Sequence, residues 1–183
     1  RHALALAAVA DPAQLRALTE GADPEGELAL THAIALGRTG ALDEATARLD
    51  RVAFRARLEG DDMSLSWALA ERARAYVARG RLGASAADFE TSLALSQALG
   101  NAQLELIVRV NLGYLHGREE RPEPYAEHTR AALALARRLK NDQAVAHCLC
   151  NLAGALAYLQ RCDEAMACCE EARALAQDRG WPY

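Results

Sequence analysis

A forty-residue echo runs through this chain and restricts what it can fold into. Asp43-Glu44-Ala45 returns three periods later as Asp163-Glu164-Ala165. Asn111-Leu112 returns one period on as Asn151-Leu152, and Leu93-Ala94-Leu95 as Leu133-Ala134-Leu135. Gly60, Gly100 and Gly180 mark the same phase, with Lys140 in the remaining slot. Self-similarity at this period means stacked supersecondary units, each too small to bury its apolar face alone. The residues available to build them are helix formers: Ala, Leu, Arg and Glu dominate, and only five prolines interrupt them. The expected class is all-α. Aromatics are 5% of the chain, so the core must be close helix-on-helix packing over small side chains.

Blocks of forty give residues 21–60, 61–100, 101–140 and 141–180 as four repeats, each a helical hairpin, behind a partial leading repeat at 1–20. The expected helices run from Glu25 to Arg38 and Leu42 to Leu58, then Met63 to Arg79 and Ala84 to Leu99. The later pairs are Ala102 to Gly117 with Pro124 to Leu139, and Gln143 to Leu159 with Asp163 to Gln177. Ala33, Ala73, Gly113 and Ala153 form a small-residue ladder where the first helix of each pair approaches its neighbour. Val52, Ser92, Ala132 and Ala172 form a second one. Leu42, Leu82, Pro122 and Cys162 sit at the turn within each hairpin, where an apolar side chain pins it. Gly40 and Gly80 suit the left-handed position beyond a helix end. Asp11-Pro12 reads as an N-cap and first-turn proline of a short helix to about Glu20, with Leu15 in phase with Leu95, Leu135 and Leu175. Arg1 at the start and Trp181-Pro182-Tyr183 at the end suggest a piece of a longer array.

Charge and cysteine content exclude several classes. A net charge of −4 gives no general pull toward nucleic acid or anionic lipid, and no apolar run reaches the ~20 residues that span a bilayer. Five cysteines, odd in number and bunched from Cys148 to Cys169, do not make a secreted disulfide framework, so a cytoplasmic location is expected. His147 and Cys150 are three apart, yet no CxxC pair has zinc spacing. Cys148, Cys150 and Cys169 align with mostly apolar slots, where a thiol acts as a small hydrophobe, whereas Cys168 aligns with Arg48, Asp88 and His128 and is expected on the surface. No metal and no cofactor is expected. There is no phosphate loop, no G-x-S-x-G elbow and no H-E-x-x-H. His116 aligns with Leu36, Tyr76 and Leu156 and is expected to pack inward. The reading is of a binding scaffold and not an enzyme.

The order of a small residue in the first helix, a glycine turn and an acidic-Ala start to the second resembles the tetratricopeptide repeat (TPR). The matches are Ala33…Gly40…Asp43-Glu44-Ala45, Ala73…Tyr76…Gly80, Asn111-Leu112-Gly113-Tyr114, and Asn151-Leu152…Cys162-Asp163-Glu164-Ala165. They are similar to the longer forty-residue variety of kinesin light chains, Gαi-binding polarity scaffolds and bacterial regulators. The departures are Glu120 at the turn glycine, and Tyr125 and Ser85 at the second-helix alanine.

The resemblance implies a right-handed α-solenoid whose first helices line a concave groove. Carried over, the groove rows are Thr31, Glu71, Asn111, Asn151; Ile34, Arg74, Tyr114, Gly154; Arg38, Ala78, Arg118, Tyr158; and Glu27, Trp67, Ile107, His147. Asn111 and Asn151 could clamp a peptide backbone, since an amide both donates and accepts; equally, Asn here could bridge neighbouring helices. Arg38, Arg74 and Arg118 suit carboxylates, or are simply solvated. Trp67, Tyr114 and Tyr158 are candidate aromatic anchors, or core. The resemblance implies a protein or peptide partner, with no nucleic acid and no membrane. In bacterial regulators such repeats sit beside DNA-binding or nucleotide-binding domains in transcription control, and the Ala, Leu and Arg content suits a GC-rich genome. The alternatives are self-assembly as a homodimer, and small-molecule sensing.

Overall fold

The computed structural model describes Asp11, Ala13, Gln14, Ala17 and residues 28–181. Glu27, the expected helix start at Glu25, Pro12 and Leu15 lie outside the described residues. The described residues hold eight helices and no strand: α1 (Ala29–Arg38), α2 (Leu42–Glu59), α3 (Asp62–Ala78), α4 (Leu82–Ala98), α5 (Ala102–Arg118), α6 (Pro122–Arg138), α7 (Asp142–Tyr158) and α8 (Cys162–Asp178). Odd-numbered helices are the first (A) and even-numbered helices the second (B) of each expected hairpin. Upstream, the Asp11 carboxylate accepts from the Ala13 and Gln14 amides at 2.9 and 3.0 Å, the expected N-cap.

One turn joins the helices, used every twenty residues. At Gly40, Gly60, Gly80, Gly100, Glu120, Lys140, Gln160 and Gly180 the backbone takes φ between 53° and 88°. Around Gly80 the Gly80 amide donates to Val77 O and the Arg81 amide to Tyr76 O, at 3.0 and 2.9 Å. This paired closure satisfies the orphan carbonyls of the helix end, and it recurs around Glu120, Lys140 and Gln160. Glu120 therefore departs from the glycine pattern in residue type and keeps its conformation.

The residue after each left-handed position starts the next helix, and its type separates the two kinds of turn. Ahead of A helices stand Asp61, Asn101 and Asn141, whose side chains accept from the Ser64, Leu104 and Ala144 amides at 3.0, 3.1 and 3.0 Å. Ahead of B helices stand Ala41, Arg81, Arg121 and Arg161, with no side-chain cap. The Ser64 hydroxyl and amide also hold the Asp61 carboxyl below its ordinary range.

The chain divides into two compact units, the first ending at Leu99 and the second beginning at Gly100. In unit 1, α1, α2 and α3 enclose Ala33, Ile34, Leu49, Val52, Ala53, Leu65 and Leu69, all buried. The α3–α4 seam is polar. Ser66 and Ser92 each donate to the other's carbonyl, at 3.0 and 2.8 Å, which requires close helices. Arg72 of α3 makes a bidentate pair with Asp88 of α4 at 2.7 Å and reaches Asp50 of α2 at 2.6 Å. These carboxylates, Asp88 first, raise the Arg72 pKa further, so the guanidinium stays charged.

Unit 2 has an apolar core of Leu106, Ala126, Ala132, Leu133, Val145, Cys148, Leu149, Leu152 and Leu156. Both small-residue ladders are interior in both units, with Ala33, Ala73, Ser92 and Ala132 fully covered. Gly113 shows why the first ladder is small: a Cβ there would lie 2.8 Å from the Thr129 hydroxyl oxygen. Four expectations about side chains fail. Cys150 and Cys169 are exposed rather than apolar filling, and Cys168 is half-buried against the core rather than on the surface. Leu49 and Thr129, in the Cys169 slot of α2 and α6, are buried on helices that each carry a following A helix; α8 has no described helix beyond it. Cys162 is exposed and pins no hairpin, unlike half-buried Leu42, Leu82 and Pro122. Cys148 and His116 are buried as expected, and burial pushes the Cys148 thiol up to about 11.

Candidate interaction surface

An A helix offers one face to its hairpin partner and another to the neighbouring A helix, which leaves a strip for solvent. In unit 2 the A helices α5 and α7 pack on each other. The strip on α7 runs His147, Asn151, Gly154, Tyr158, spaced so that all four share a side of the helix. His147 and Tyr158 are exposed, Tyr158 at 67%, and the Asn151 amide nitrogen lies 3.3 Å from His147 Nε2. On α5, Tyr114 is 48% exposed, and Arg118 lies over its ring at 5.9 Å while donating to its hydroxyl at 3.2 Å. Asn111 is half-buried and donates its amide to the Ile107 carbonyl at 2.8 Å, one turn back on its own helix. One of its two amide hydrogens is thus engaged, and its carbonyl oxygen and second amide hydrogen remain for a ligand.

The candidates in unit 1 are less open. Trp67 is half-buried and packs against the core cluster. Arg74 pairs with buried Glu71 of its own helix at 2.5 Å, so a partner's carboxylate would compete with an internal one. Arg38 is half-buried in the last turn of α1. The structure brings Asn151 to His147 and Tyr114 to Arg118; Arg38, Trp67 and Arg74 belong to the other unit.

In the sequence Tyr125 stands out only as a departure from the repeat. It projects from α6 toward both A helices of unit 2. A Cβ at Gly117 would lie 3.1 Å from its ring, one at Gly113 3.4 Å, and one at Gly154 3.6 Å from its hydroxyl. Glycines on α5 and α7 thus leave room for a ring where other repeats place Ala45, Ser85 or Ala165. Burial, and next the neighbouring Tyr158, raise the Tyr125 pKa, so the phenol keeps its proton. The signal was present as an aromatic in an alanine slot together with Gly113, Gly117 and Gly154.

Two further polar features are visible only in the structure. His116 and His128 stack at 5.3 Å between ring centroids, with His116 Nδ1 3.1 Å from a Glu119 carboxylate oxygen. An open cavity of about 660 Å3 at the α6–α8 edge is spanned by Arg137–Glu171 and Arg179–Asp142 pairs, both at 2.6 Å, so most of its charges are already matched. Among the described residues no group of three or more His, Cys, Asp or Glu is placed to hold a metal, and no helix is long and apolar enough to cross a membrane.

No family model and no curated protein matches the chain. Solved structures do. BtubC (BKLC) from P. vanneervenii is similar at a TM-score of 0.73 and 23% identity, over 97% of this chain and 69% of that one. A putative kinesin light chain from Podosopora anserina with nearly identical TPR-like repeats matches at a TM-score of 0.66 and 20% identity, covering 91% of this chain and 85% of that one. A substituted form of that protein gives 0.69 and 18%, over 92% and 85%. Together with eight consecutive helices and a turn repeating every twenty residues, these likenesses give the chain the fold of the TPR-like helical-repeat proteins.

Proposed function

We propose that this chain is a protein-interaction module that holds an extended segment of a partner on its A helices. The TPR-like fold in general mediates protein–protein interaction. The observation that carries the reading is the α5–α7 strip of unit 2, where Tyr114 and Tyr158 stand exposed beside Arg118, Asn151 and His147. Large, stiff aromatics bring much contact area at small entropic cost, and arginine and amide groups add directional bonds. A rigid helical array holds such a surface ready-made, which lowers the ordering cost of binding. We read the chain as a cytoplasmic binding scaffold without an active site, and as the partner-binding segment of a bacterial regulator.

The test is a peptide-display selection on the purified chain beside an Asn111→Ala/Asn151→Ala variant. Peptides that hold to the parent and are lost from the variant support the reading. Equal retention by both counts against it.

A second reading, self-assembly, has one specific observation behind it. Met166 is 62% exposed and Cys169 is exposed on α8, in slots that α2 and α6 bury as Thr46 with Leu49 and Ala126 with Thr129. Light scattering across a hundred-fold concentration range separates a dimer from a monomer, and Met166→Glu should abolish a dimer formed through this face.

A further inference from the structure

The interaction strip has a gap in it. At position 154 of α7 there is no side chain, where the equivalent slots carry Ile34, Arg74 and Tyr114. Beneath the gap is the Tyr125 hydroxyl, 3.6 Å from where a Cβ would be. It comes from α6, past Gly113 and Gly117 of α5, and makes no hydrogen bond among the described residues. Asn151 stands one turn before the gap; its amide nitrogen faces His147 and its carbonyl oxygen is unpaired among the described residues. Tyr158 stands one turn after it and neighbours Tyr125. The notch thus has a protonated phenol at its floor, an amide carbonyl on one side and an aromatic ring on the other, with no carboxylate, ammonium or guanidinium among them.

We propose that the notch at Gly154 takes the side-chain amide of a glutamine or asparagine from the partner segment. The Tyr125 hydroxyl donates to the amide oxygen, and the Asn151 carbonyl accepts from the amide nitrogen. A charged side chain would enter without a counter-charge, and an apolar one would leave the phenol unpaired, which costs roughly 1–3 kcal/mol for a desolvated polar group. The amide matches both orphan groups. The inference rests on the proposed peptide-binding role and adds the residue type that is read.

The experiment measures dissociation constants for the peptides enriched by display, against the parent, Tyr125→Phe and Gly154→Leu. Tyr125→Phe removes one oxygen and leaves the ring packed among its glycines, so folding is spared; Gly154→Leu fills the notch, with circular dichroism confirming its helix content. The expected results are an amide residue at one fixed position of the enriched peptides, about ten-fold weaker binding to Tyr125→Phe, and a larger loss with Gly154→Leu. Changing that peptide residue from Gln to Met should weaken binding to the parent more than to Tyr125→Phe, where only the bond to the Asn151 carbonyl is left to lose. Peptides that bind parent and both variants equally overturn the notch and leave the interaction module standing. Failure to enrich any peptide overturns both.

Discussion

The α3–α4 hairpin of unit 1 and the α5–α6 hairpin of unit 2 share a turn, a length and a small-residue ladder, yet their interiors are filled by opposite means. In α3–α4 the filling is polar: Ser66 against Ser92, and Arg72 held by Asp88 and Asp50. In α5–α6 it is an oversized ring, Tyr125, fitted among glycines, with His116 stacked on His128. The turn and the small ladder set the backbone. What fills the space between is free to vary so long as its neighbours vary with it: a carboxylate opposite a guanidinium, or glycine beneath a tyrosine.

The largest expected effect breaks the polar filling. Asp88→Ala leaves Arg72, only 16% exposed, with Asp50 alone, and should cost about 3 kcal/mol. Asp50→Ala, whose carboxylate is 52% exposed, should cost less than about 1 kcal/mol. Urea unfolding of the two variants measures the difference; equal losses would mean that the triad acts as an ordinary surface pair.

Next come the glycines around Tyr125. Alanine is the better helix former by about 1 kcal/mol, so Gly→Ala in a helix stabilises unless the Cβ collides. At Gly113 it would lie 2.8 Å from the Thr129 hydroxyl, and the variant should lose about 1–3 kcal/mol. At Gly154 the nearest atom is 3.6 Å away, and the variant should gain about 0.5–1 kcal/mol. Opposite signs at two helical glycines of one unit would sharpen the comparison; like signs would break it.

The histidine stack predicts a pH dependence confined to unit 2. Burial first, then His116 and Arg109 of α5, lower the His128 pKa from its ordinary value near 6.5, while Glu127 of its own helix opposes them. Glu119 faces His116, and α7 covers α6 with apolar Val145, Leu149 and Leu152 beside the Cys148 thiol. A depressed folded-state pKa means that the unfolded chain takes up the proton first. Stability is therefore full above about pH 6.5, falls below it, and levels off once the folded His128 is protonated too. Hydrogen exchange of α6 at pH 5.5 and 8 should show this, and His128→Gln should flatten it.

The smallest effect lies in the turns. Lys140, Glu120 and Gln160 hold left-handed φ near 53–59°, where a side chain costs about 1 kcal/mol that glycine avoids. Lys140→Gly should stabilise by about 0.5 kcal/mol and Gly60→Lys should destabilise by about 1 kcal/mol, both read from thermal melts.

Much of this fold was legible because helix, turn and ladder are written in short-range terms. Gly40, Gly60 and Gly80 mark helix ends by conformation alone, and Ala33 and Ala73 mark close approach by size. Asp61, Asn101 and Asn141 could have been read the same way, as caps recurring at forty. Burial was harder where it depends on what covers a helix. Cys169 shares a slot with Leu49 and Thr129 and is nonetheless exposed, because slot identity fixes direction and not the neighbour. The interaction strip was legible as positions on A helices. Its chemistry was not, since Arg74 is engaged by Glu71 and the Asn111 amide by a main-chain carbonyl. Tyr125 was the hardest, because its hydroxyl reaches a different helix pair from the one that carries it.

The most direct test of the central claim is an NMR titration of the isotope-labelled chain with the tightest peptide from display. Binding on the strip should concentrate shift changes on α5 and α7 at Asn111, Tyr114, Asn151, Gly154 and Tyr158, saturating at one peptide per chain. Shifts confined to α8, or to the outer faces of the B helices, would contradict it.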